Sequence, residues 1–360
     1  MDERDAIAAR VVQNARTLSV DPEGTSPEQA VGPWTLEVYP TLRCNLACLF
    51  CDTTDRHRPP QNELDAGRWA AIVDEAAGIG ARRIMVLGGG EPLLATATPT
   101  IFERAKARGM LGFLTTNGTR LGRFAPLLAD IGWDEVHVSI DGATAATHDR
   151  LRGQAGALRQ SVRGLCSLRQ RAPTMRLGLH TVVTRENVDE LVAIVDLAAS
   201  LGCQRVEFDH LIAYRPEQVA LALSPADRAR LPAVIASVTA VADALGIVTT
   251  AASLASVRGV SAPAAPSTMG GLAGAPCLKA WHHLVIQADG RVSPCCVLAG
   301  EGAVVDDVDV ASAFASDPFL QKVRAGMLAG TPLARCRECS ENILVHERAI
   351  RDRLPAVDPA

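Results

Sequence analysis

The sequence predicts an α/β fold: a partial (β/α)6 barrel of the TIM type with a small α+β unit at its C-terminal end. Two observations carry this. Between Trp34 and about His210, short strand-like runs alternate with helical stretches. Such alternation implies right-handed crossovers and a parallel sheet. After residue 211 the pattern gives way to one helix, a poorly periodic stretch and a hairpin. The expected organisation is an N-terminal helix and linker over 1–33, the barrel over 34–250 and a flexible linker over 251–276. The C-terminal unit follows over 277–345 and a tail over 346–360.

Residues 1–33 read as a helix followed by a Pro/Gly/Ser-rich wrap from Asp21 to Pro33. The strand-like runs are Thr35–Thr41, Arg83–Leu87, Gly112–Thr116, Glu135–Ile140, Arg176–Val183 and Arg205–Phe208, mostly rich in Val, Ile, Leu and Phe. Helical patterns lie between them, as at Ala66–Ala77, Ile101–Ala107, Ala155–Gln170 and Asn187–Ser200. In the last, Val188, Leu191, Val192 and Val195 recur at helical spacing. In a barrel of such units the chemistry sits at the C-terminal ends of the strands. Beyond it, Ala226–Leu245 reads as a helix, and Ala251–Pro276, rich in Ala, Ser, Gly and Pro, as a boundary or a mobile lid. Trp281–Ala288, Asp289-Gly290 and Arg291–Ser293 predict a hairpin on an Asp-Gly turn. Ala311–Ala329 and Glu341–Arg353 read as helices.

Composition narrows the function. Apolar residues make up 48% of the 360, enough for a sizeable core, and the net charge is −4. That charge argues against a dominant phosphate-binding surface, so nucleic acid is not expected as a partner. No apolar run is long enough to span a membrane. The N-terminus, MDERDAIAAR, lacks the apolar segment of a secretory signal. A cytoplasmic protein is expected. Ten cysteines in such a protein point to metal ligation or redox chemistry before disulfides. Three stand at 44, 48 and 51, five at 277, 295, 296, 336 and 339, and only Cys166 and Cys203 are isolated. Those two are expected to be buried, inert small hydrophobes.

The segment TLRCNLACLFC follows the first strand. Its Cys-x3-Cys-x2-Cys supplies three soft thiolates, suited to iron–sulfur or zinc. Three thiolates on a four-iron cluster leave one iron open, and an open metal position is where a substrate or cofactor binds. Zinc would need a fourth ligand; Asp52 or His57 could serve, but neither gives the usual paired spacing.

This motif after the first strand of a β/α barrel resembles the radical S-adenosylmethionine (SAM) superfamily. The resemblance implies a [4Fe–4S] cluster on Cys44, Cys48 and Cys51, chelated at its open iron by SAM. It implies reductive cleavage of SAM to a 5′-deoxyadenosyl radical that abstracts hydrogen from a substrate C–H bond. An external electron donor such as flavodoxin or ferredoxin is implied too. Phe50 fits an aromatic position of that loop. Gly88-Gly89-Gly90-Glu91-Pro92, after the second strand, resembles the element that holds the methionine end of SAM, though alone it could be a tight turn. Asn117, in Thr116-Asn117-Gly118, ends the third strand and is a further candidate contact. Ser139 and Asp141 look like the family's Ser-x-Asp element; Asp141 could instead cap the next helix. Asn187 resembles a SAM-contacting asparagine or could be an N-cap. Arg152, in THDRLRG, is the candidate for a carboxylate or hydroxyl contact, or else a surface ion pair.

Cys277, Cys295, Cys336 and Cys339 form two pairs that could bind zinc or a [4Fe–4S] cluster. Cys-x12-Gly-x4-Cys with a later Cys-x2-Cys is similar to the SPASM/Twitch extension of radical SAM enzymes. That resemblance implies the shorter Twitch form, with one auxiliary cluster on those four cysteines. Cys296 could replace Cys295, donate a hydrogen atom to a substrate radical, or be a packed bystander. Residues 1–33 are too short for the leader-recognition domain that peptide-modifying relatives usually carry. A small molecule is therefore expected. The resemblance to Twitch-type enzymes of antibiotic biosynthesis implies oxidation of a secondary alcohol of a sugar or aminocyclitol. Arg152, Arg205, His210 and Tyr214 are the candidates for its polar pocket. Epimerisation of such a carbon, with Cys296, Cys203 or Cys166 as hydrogen donor, and maturation of a peptide are the alternatives.

Overall fold

The structure is a computed structural model. It describes residues 2–18, 31–51, 62–213, 215–255, 272, 275–305, 308–339 and 341–354. Six parallel strands run side by side in chain order: Thr35–Val38 (β1), Arg83–Val86 (β2), Leu111–Thr116 (β3), Glu135–Ser139 (β4), Arg176–Val183 (β5) and Arg205–His210 (β6). The two-residue strand Val248–Thr249 (β7) follows on the β6 edge. The strands therefore form the expected partial barrel.

The C-terminal hairpin holds a surprise. His283–Ile286 (β8) and Val292–Ser293 (β9) pair antiparallel around the Asp289-Gly290 turn, as the spacing predicts. However, β8 also pairs parallel with β1, Thr35 opposite His283 through Val38 opposite Ile286. The C-terminal unit thus supplies a strand to the barrel sheet, giving the order β7-β6-β5-β4-β3-β2-β1-β8-β9. Strand pairing at distant sequence positions leaves no local signal, which is why the hairpin alone was legible.

Helices cover the outside: Ala66–Gly78 (α2), Thr98–Ala107 (α3), Leu121–Asp130 (α4), Ala145–Arg152 (α5), Ala157–Arg171 (α6), Leu191–Ser200 (α7) and Pro225–Leu245 (α8). They are preceded by Glu3–Leu18 (α1). The strands alternate. Leu36, Val38, Ile84, Val86, Val136, Val138, Leu177, Leu179, Val206 and Phe208 pack outward against Trp69, Ile72, Phe102 and their neighbours, so the helices bury one strand face. The other face lines the barrel.

The stretch predicted as one helix over Ala311–Ala329 is two, Val310–Ser316 (α9) and Pro318–Leu328 (α10). Pro318 disfavours helical backbone at Asp317, and Asp317 instead caps α10 by accepting from the Leu320 amide at 2.8 Å. Glu341–Arg351 (α11) runs through residue 345 without a break and buries Glu347 and Ile350. With α1 it builds a second core: Ile7, Val11 and Ala15 meet Leu278, Trp281 and Ile350. Asn14 Nδ2 donates to the Trp281 carbonyl at 2.8 Å. Residues 256–271 of the expected linker, along with Asp52, His57 and Tyr214, lie outside the described residues. No described helix is long and apolar enough to cross a membrane.

Candidate active site

The loop after β1 carries Cys44, Cys48 and Cys51 at the C-terminal end of the barrel, all half-buried. Two glycines let neighbouring segments grip it. On one side the Gly90 amide donates to the Thr41 carbonyl (3.2 Å) and Glu91 to Arg43 (2.8 Å). A Cβ on Gly90 would stand 2.2 Å from the Arg43 oxygen, so no larger residue fits. On the other side, the Ala47 and Leu49 amides donate to the carbonyls of Arg152 (3.3 Å) and Leu151 (2.9 Å). There Gly153 ends α5 with φ +67°, and a Cβ would lie 2.3 Å from the Ala47 oxygen.

Side chains then address the sulfurs. Asn117 Nδ2 points at Cys44 Sγ from 3.9 Å and donates to Asn45 Oδ1 at 3.1 Å. Glu91, fully buried, orients Asn117 by accepting its amide at 2.7 Å. Glu91 also accepts from the Thr116 hydroxyl (2.6 Å) and the Leu93 amide (3.1 Å). Both of its oxygens are thus engaged within the protein, and burial raises its pKa. Arg152 Nη1 lies 3.8 Å from Cys48 Sγ, and its guanidinium sits over the Phe50 ring, 5.5 Å from the centroid. Arg152 is nearly buried and ion-pairs with the fully buried Asp141, so it is no surface pair. Burial works against its charge, but Asp141 and Cys48 outweigh that and raise its pKa. Burial pushes the Cys48 thiol up to about 11, with Arg152 opposing, and burial raises Cys44 as well. Such thiols ionise when a cation joins them, so the donor set fits a metal cluster. No three Cys, His, Asp or Glu side chains among the described residues form a group that could hold a single metal ion.

The other predicted residues divide. Gly88 and Gly89 complete the turn into Glu91. Ser139 ends β4 facing inward, and its hydroxyl makes no hydrogen bond among the described residues. Asp141 does not cap a helix. Thr144 caps α5, while Asp141 Oδ1 accepts from the Val182 amide at 2.8 Å. The Asp141 amide donates to His148 Nδ1 at 3.1 Å, and burial then holds His148 near a pKa of about 4. Asn187 also makes no side-chain cap. Its amide is consumed by the carbonyls of Asp141 and Val182 (2.9 Å each) and by the Thr184 amide (2.7 Å), which pins the ends of β4 and β5. Contact with a cofactor would require breaking those bonds. Arg205 opens β6 and pairs with Glu207, placing it at the end of the barrel away from the cysteine loop; the expected pocket role is corrected. His210 closes β6 at the mouth. Cys203 is buried as expected, but Cys166 is exposed on α6.

In the C-terminal domain one cavity of about 60 Å³ is lined by Cys277, Cys295, Cys336 and Cys339. One water needs about 10–15 Å³, so the space is roomy. Burial raises all four thiols, Cys339 to about 12. Cys296 does not line the cavity. It is open to solvent yet ringed by protein, and burial together with the charge of Glu37 pushes it up to about 12.

Near the C-terminal cysteines lies a polar wall that motif reading missed. Glu37 on β1, 3% exposed, accepts from the Tyr39 hydroxyl and from His283 Nε2 on β8, both at 2.7 Å. Burial opposes its charge, but His283 and nearby Lys279 hold its pKa down to about 2. Burial and Lys279 depress His283 to about 4, so His283 is a neutral donor. On the far wall His180 Nε2 meets Asp209 at 2.5 Å. The missed signal was the alternation of polar with apolar residues in β1, β4, β5 and β6, since helix-covered parallel strands otherwise read as apolar throughout.

Residues 38–198 match the radical SAM superfamily, and residues 277–340 match SPASM, an iron–sulfur cluster-binding domain. The chain carries a radical SAM domain and a SPASM domain. With them come SAM and two [4Fe–4S] clusters. Among curated relatives, Fe-coproporphyrin III synthase of Methanosarcina barkeri is 32% identical over 48% of this chain and 42% of its own length. PqqA peptide cyclase of Methylorubrum extorquens is 32% identical over 55% of this chain and 50% of its own. The chain spans about half the length of these relatives. Streptococcus suis SuiB bound to its precursor peptide SuiA superposes with a TM-score of 0.63 at 17% identity, covering 82% of this chain and 67% of that one. That likeness shows the shared fold of the radical SAM barrel. The relatives are named for a haem precursor and a peptide, so the resemblance to sugar- and aminocyclitol-modifying enzymes is corrected.

Proposed function

We propose that this chain is a radical SAM enzyme acting on a C–H bond of a peptide substrate. The observation that carries the chemistry is the clamped loop of Cys44, Cys48 and Cys51, with Asn117 and Arg152 on two of its sulfurs. When bound, SAM and its cluster supply a 5′-deoxyadenosyl radical. The three cysteines would hold the cluster. Gly88, Gly89, Gly90 and the free hydroxyl of Ser139 would meet SAM, and Glu91, Asp141 and Asn187 would act by positioning. Cys277, Cys295, Cys336 and Cys339 would hold one auxiliary cluster, the Twitch arrangement. The wall of Glu37, Tyr39 and His283 would face the substrate between the two sites.

The peptide reading rests on the PqqA cyclase relative, with SuiB as a fold precedent. A tetrapyrrole is the second reading, favoured by Fe-coproporphyrin III synthase. Oxidation or epimerisation of a sugar or aminocyclitol draws no support from these relatives. The test is anaerobic reconstitution with SAM and dithionite. Wild type should form 5′-deoxyadenosine, and Cys44→Ala/Cys48→Ala/Cys51→Ala should not; cleavage by that variant overturns the chemistry. Substrate class is read by mass spectrometry. A tetrapyrrole product with no change in any candidate peptide would replace the peptide reading. A sugar losing two hydrogens, or gaining solvent deuterium at unchanged hydrogen count, would restore dehydrogenation or epimerisation.

A further inference from the structure

The outer helices carry a local charge that the net −4 conceals. Helix α6, fifteen residues from Ala157 to Arg171, contains four arginines and no acid. At its mouth-side end stand Arg159 and Arg163, both exposed. Beside them on the neighbouring helix, Arg120 precedes α4 and Arg123 lies in its first turn, also exposed. None of the four makes an ion pair or a side-chain hydrogen bond among the described residues. Other surface arginines do pair: half-buried Arg104 and exposed Arg108 with Asp74, and exposed Arg150 with Glu186. Four adjacent cations left uncompensated repel one another, and an anionic partner would relieve that.

The patch also has an address. Asn45 of the cysteine loop donates to Thr119 Oγ1 at 2.9 Å, one residue before Arg120. Ser161 of α6 donates to the Asn117 carbonyl at 2.7 Å, and the Asn117 side chain points at Cys44. Gly153, between α5 and α6, packs on Ala47. Leu49, 40% exposed, adds an apolar tip on that same loop. The arginines therefore border segments that hold the cysteine loop and Asn117.

We propose that Arg120, Arg123, Arg159 and Arg163 form the docking surface for an acidic one-electron donor protein. The inference rests on reading Cys44, Cys48 and Cys51 as an iron–sulfur site, which needs an electron from outside the chain. On docking, one electron passes from the donor's reduced flavin or iron–sulfur group to the group at those cysteines; no bond forms or breaks. Complementary charge chiefly raises the association rate and makes it salt-dependent. An acidic protein fits better than nucleic acid, because the patch is confined to two helix ends around the cysteine loop.

The test uses the anaerobically reconstituted full chain and reduced flavodoxin, an acidic flavoprotein. Cluster reduction is followed by loss of visible absorbance, and complex formation is measured separately by calorimetry. Arg120→Glu/Arg123→Glu and Arg159→Glu/Arg163→Glu should each slow reduction by flavodoxin about tenfold or more at low ionic strength. They should weaken its binding and flatten the salt dependence. Arg171→Glu, at the far end of α6, should change the rate less than twofold. Reduction by dithionite should be unchanged in every variant. A native flavodoxin rate in both double variants overturns the proposal, and so does equal slowing by Arg171→Glu. Binding of RNA, lost in the same variants while flavodoxin reduction persists, would assign the patch to nucleic acid instead. Failure of dithionite to reduce the wild type at the first site would sink the iron–sulfur reading itself.

Discussion

The three cysteines at the barrel mouth fall within eight consecutive residues of one loop, whereas the four in the C-terminal domain come from three separate stretches of chain. The first set is held by backbone clamps on either side, with Leu46 the one loop residue between the outer cysteines that reaches the core. The second set lines a cavity whose other walls include Val323, Met327, Ile343 and Leu344. Part of that lining belongs to the second core, and β8, which follows Cys277, is also a strand of the barrel sheet. A loop-borne site can be emptied with little damage to the fold. A site assembled from distant segments is part of what keeps them together.

The largest effects should break along that line. Cys44→Ala/Cys48→Ala/Cys51→Ala should halve iron, from about eight atoms to about four by the cluster stoichiometry, and abolish SAM cleavage. Its melting temperature should stay within a few degrees of wild type. Cys336→Ala/Cys339→Ala should also halve iron, but with a much larger fall in melting temperature, because metal binding there is coupled to folding. Iron analysis with calorimetry decides. Equal losses of stability in the two variants would erase the distinction between the sites. Zinc without additional iron in the second site would keep its ligands but replace its cluster.

Next comes the buried ion pair behind the first site. Arg152→Met would leave the Asp141 carboxylate buried without its partner, at a cost of about 3–5 kcal/mol. Thermal or chemical denaturation should show that loss. Asp141→Asn/Arg152→Met should recover part of it. If Arg152→Met costs no more than a surface change, about 0.5 kcal/mol, then the pair is not holding the loop.

The seam between the two regions should respond to acid. Glu37 and Glu347 have pKa values near 2, below the ordinary 4.3, so their stabilisation is present above that ordinary value and fades as pH falls towards 2. His283 is held neutral, near 4 against an ordinary 6.5, and must be protonated on the way down. All three push the same way, so the apoprotein should lose stability steadily from about pH 6.5 to 2. Glu37→Gln should flatten the lower part of that slope, as read by melting temperature against pH. An unchanged slope would mean that Glu37 is not ionised in the folded state.

The same contrast explains what the sequence made legible. Cys-x3-Cys-x2-Cys, the Gly88–Glu91 turn and the Asp289-Gly290 hairpin are local patterns, and each lies where expected. The pairing of β8 with β1, the ion pair of Asp141 with Arg152 and the Glu37–His283 bond join residues 248, 11 and 246 positions apart or depend on such joins. Spacing rules carry nothing about them. Asn187 and Glu91 illustrate another limit of spacing: which way an amide or carboxylate spends its hydrogen bonds is decided by neighbouring strand ends.

The smallest effect should come from Cys296, and it sharpens the comparison most. Cys296 adjoins Cys295, yet only Cys295 lines the cavity. Its sulfur instead faces the seam, close enough to Glu37 and Lys279 to feel both charges. If position relative to the cavity decides ligation, Cys296→Ala should keep both clusters' iron, whereas Cys295→Ala should lose the auxiliary half. Removing one small, solvent-open side chain should cost no more than about 0.5 kcal/mol. Turnover should persist if Cys296 is a bystander. Intact iron, continued 5′-deoxyadenosine formation and loss of product would instead identify its thiol as a hydrogen donor to the substrate radical. Iron must be measured first, because a damaged auxiliary cluster would abolish product in the same way. Loss of the auxiliary iron in Cys296→Ala would show that the adjacent cysteine, not Cys295, is the ligand.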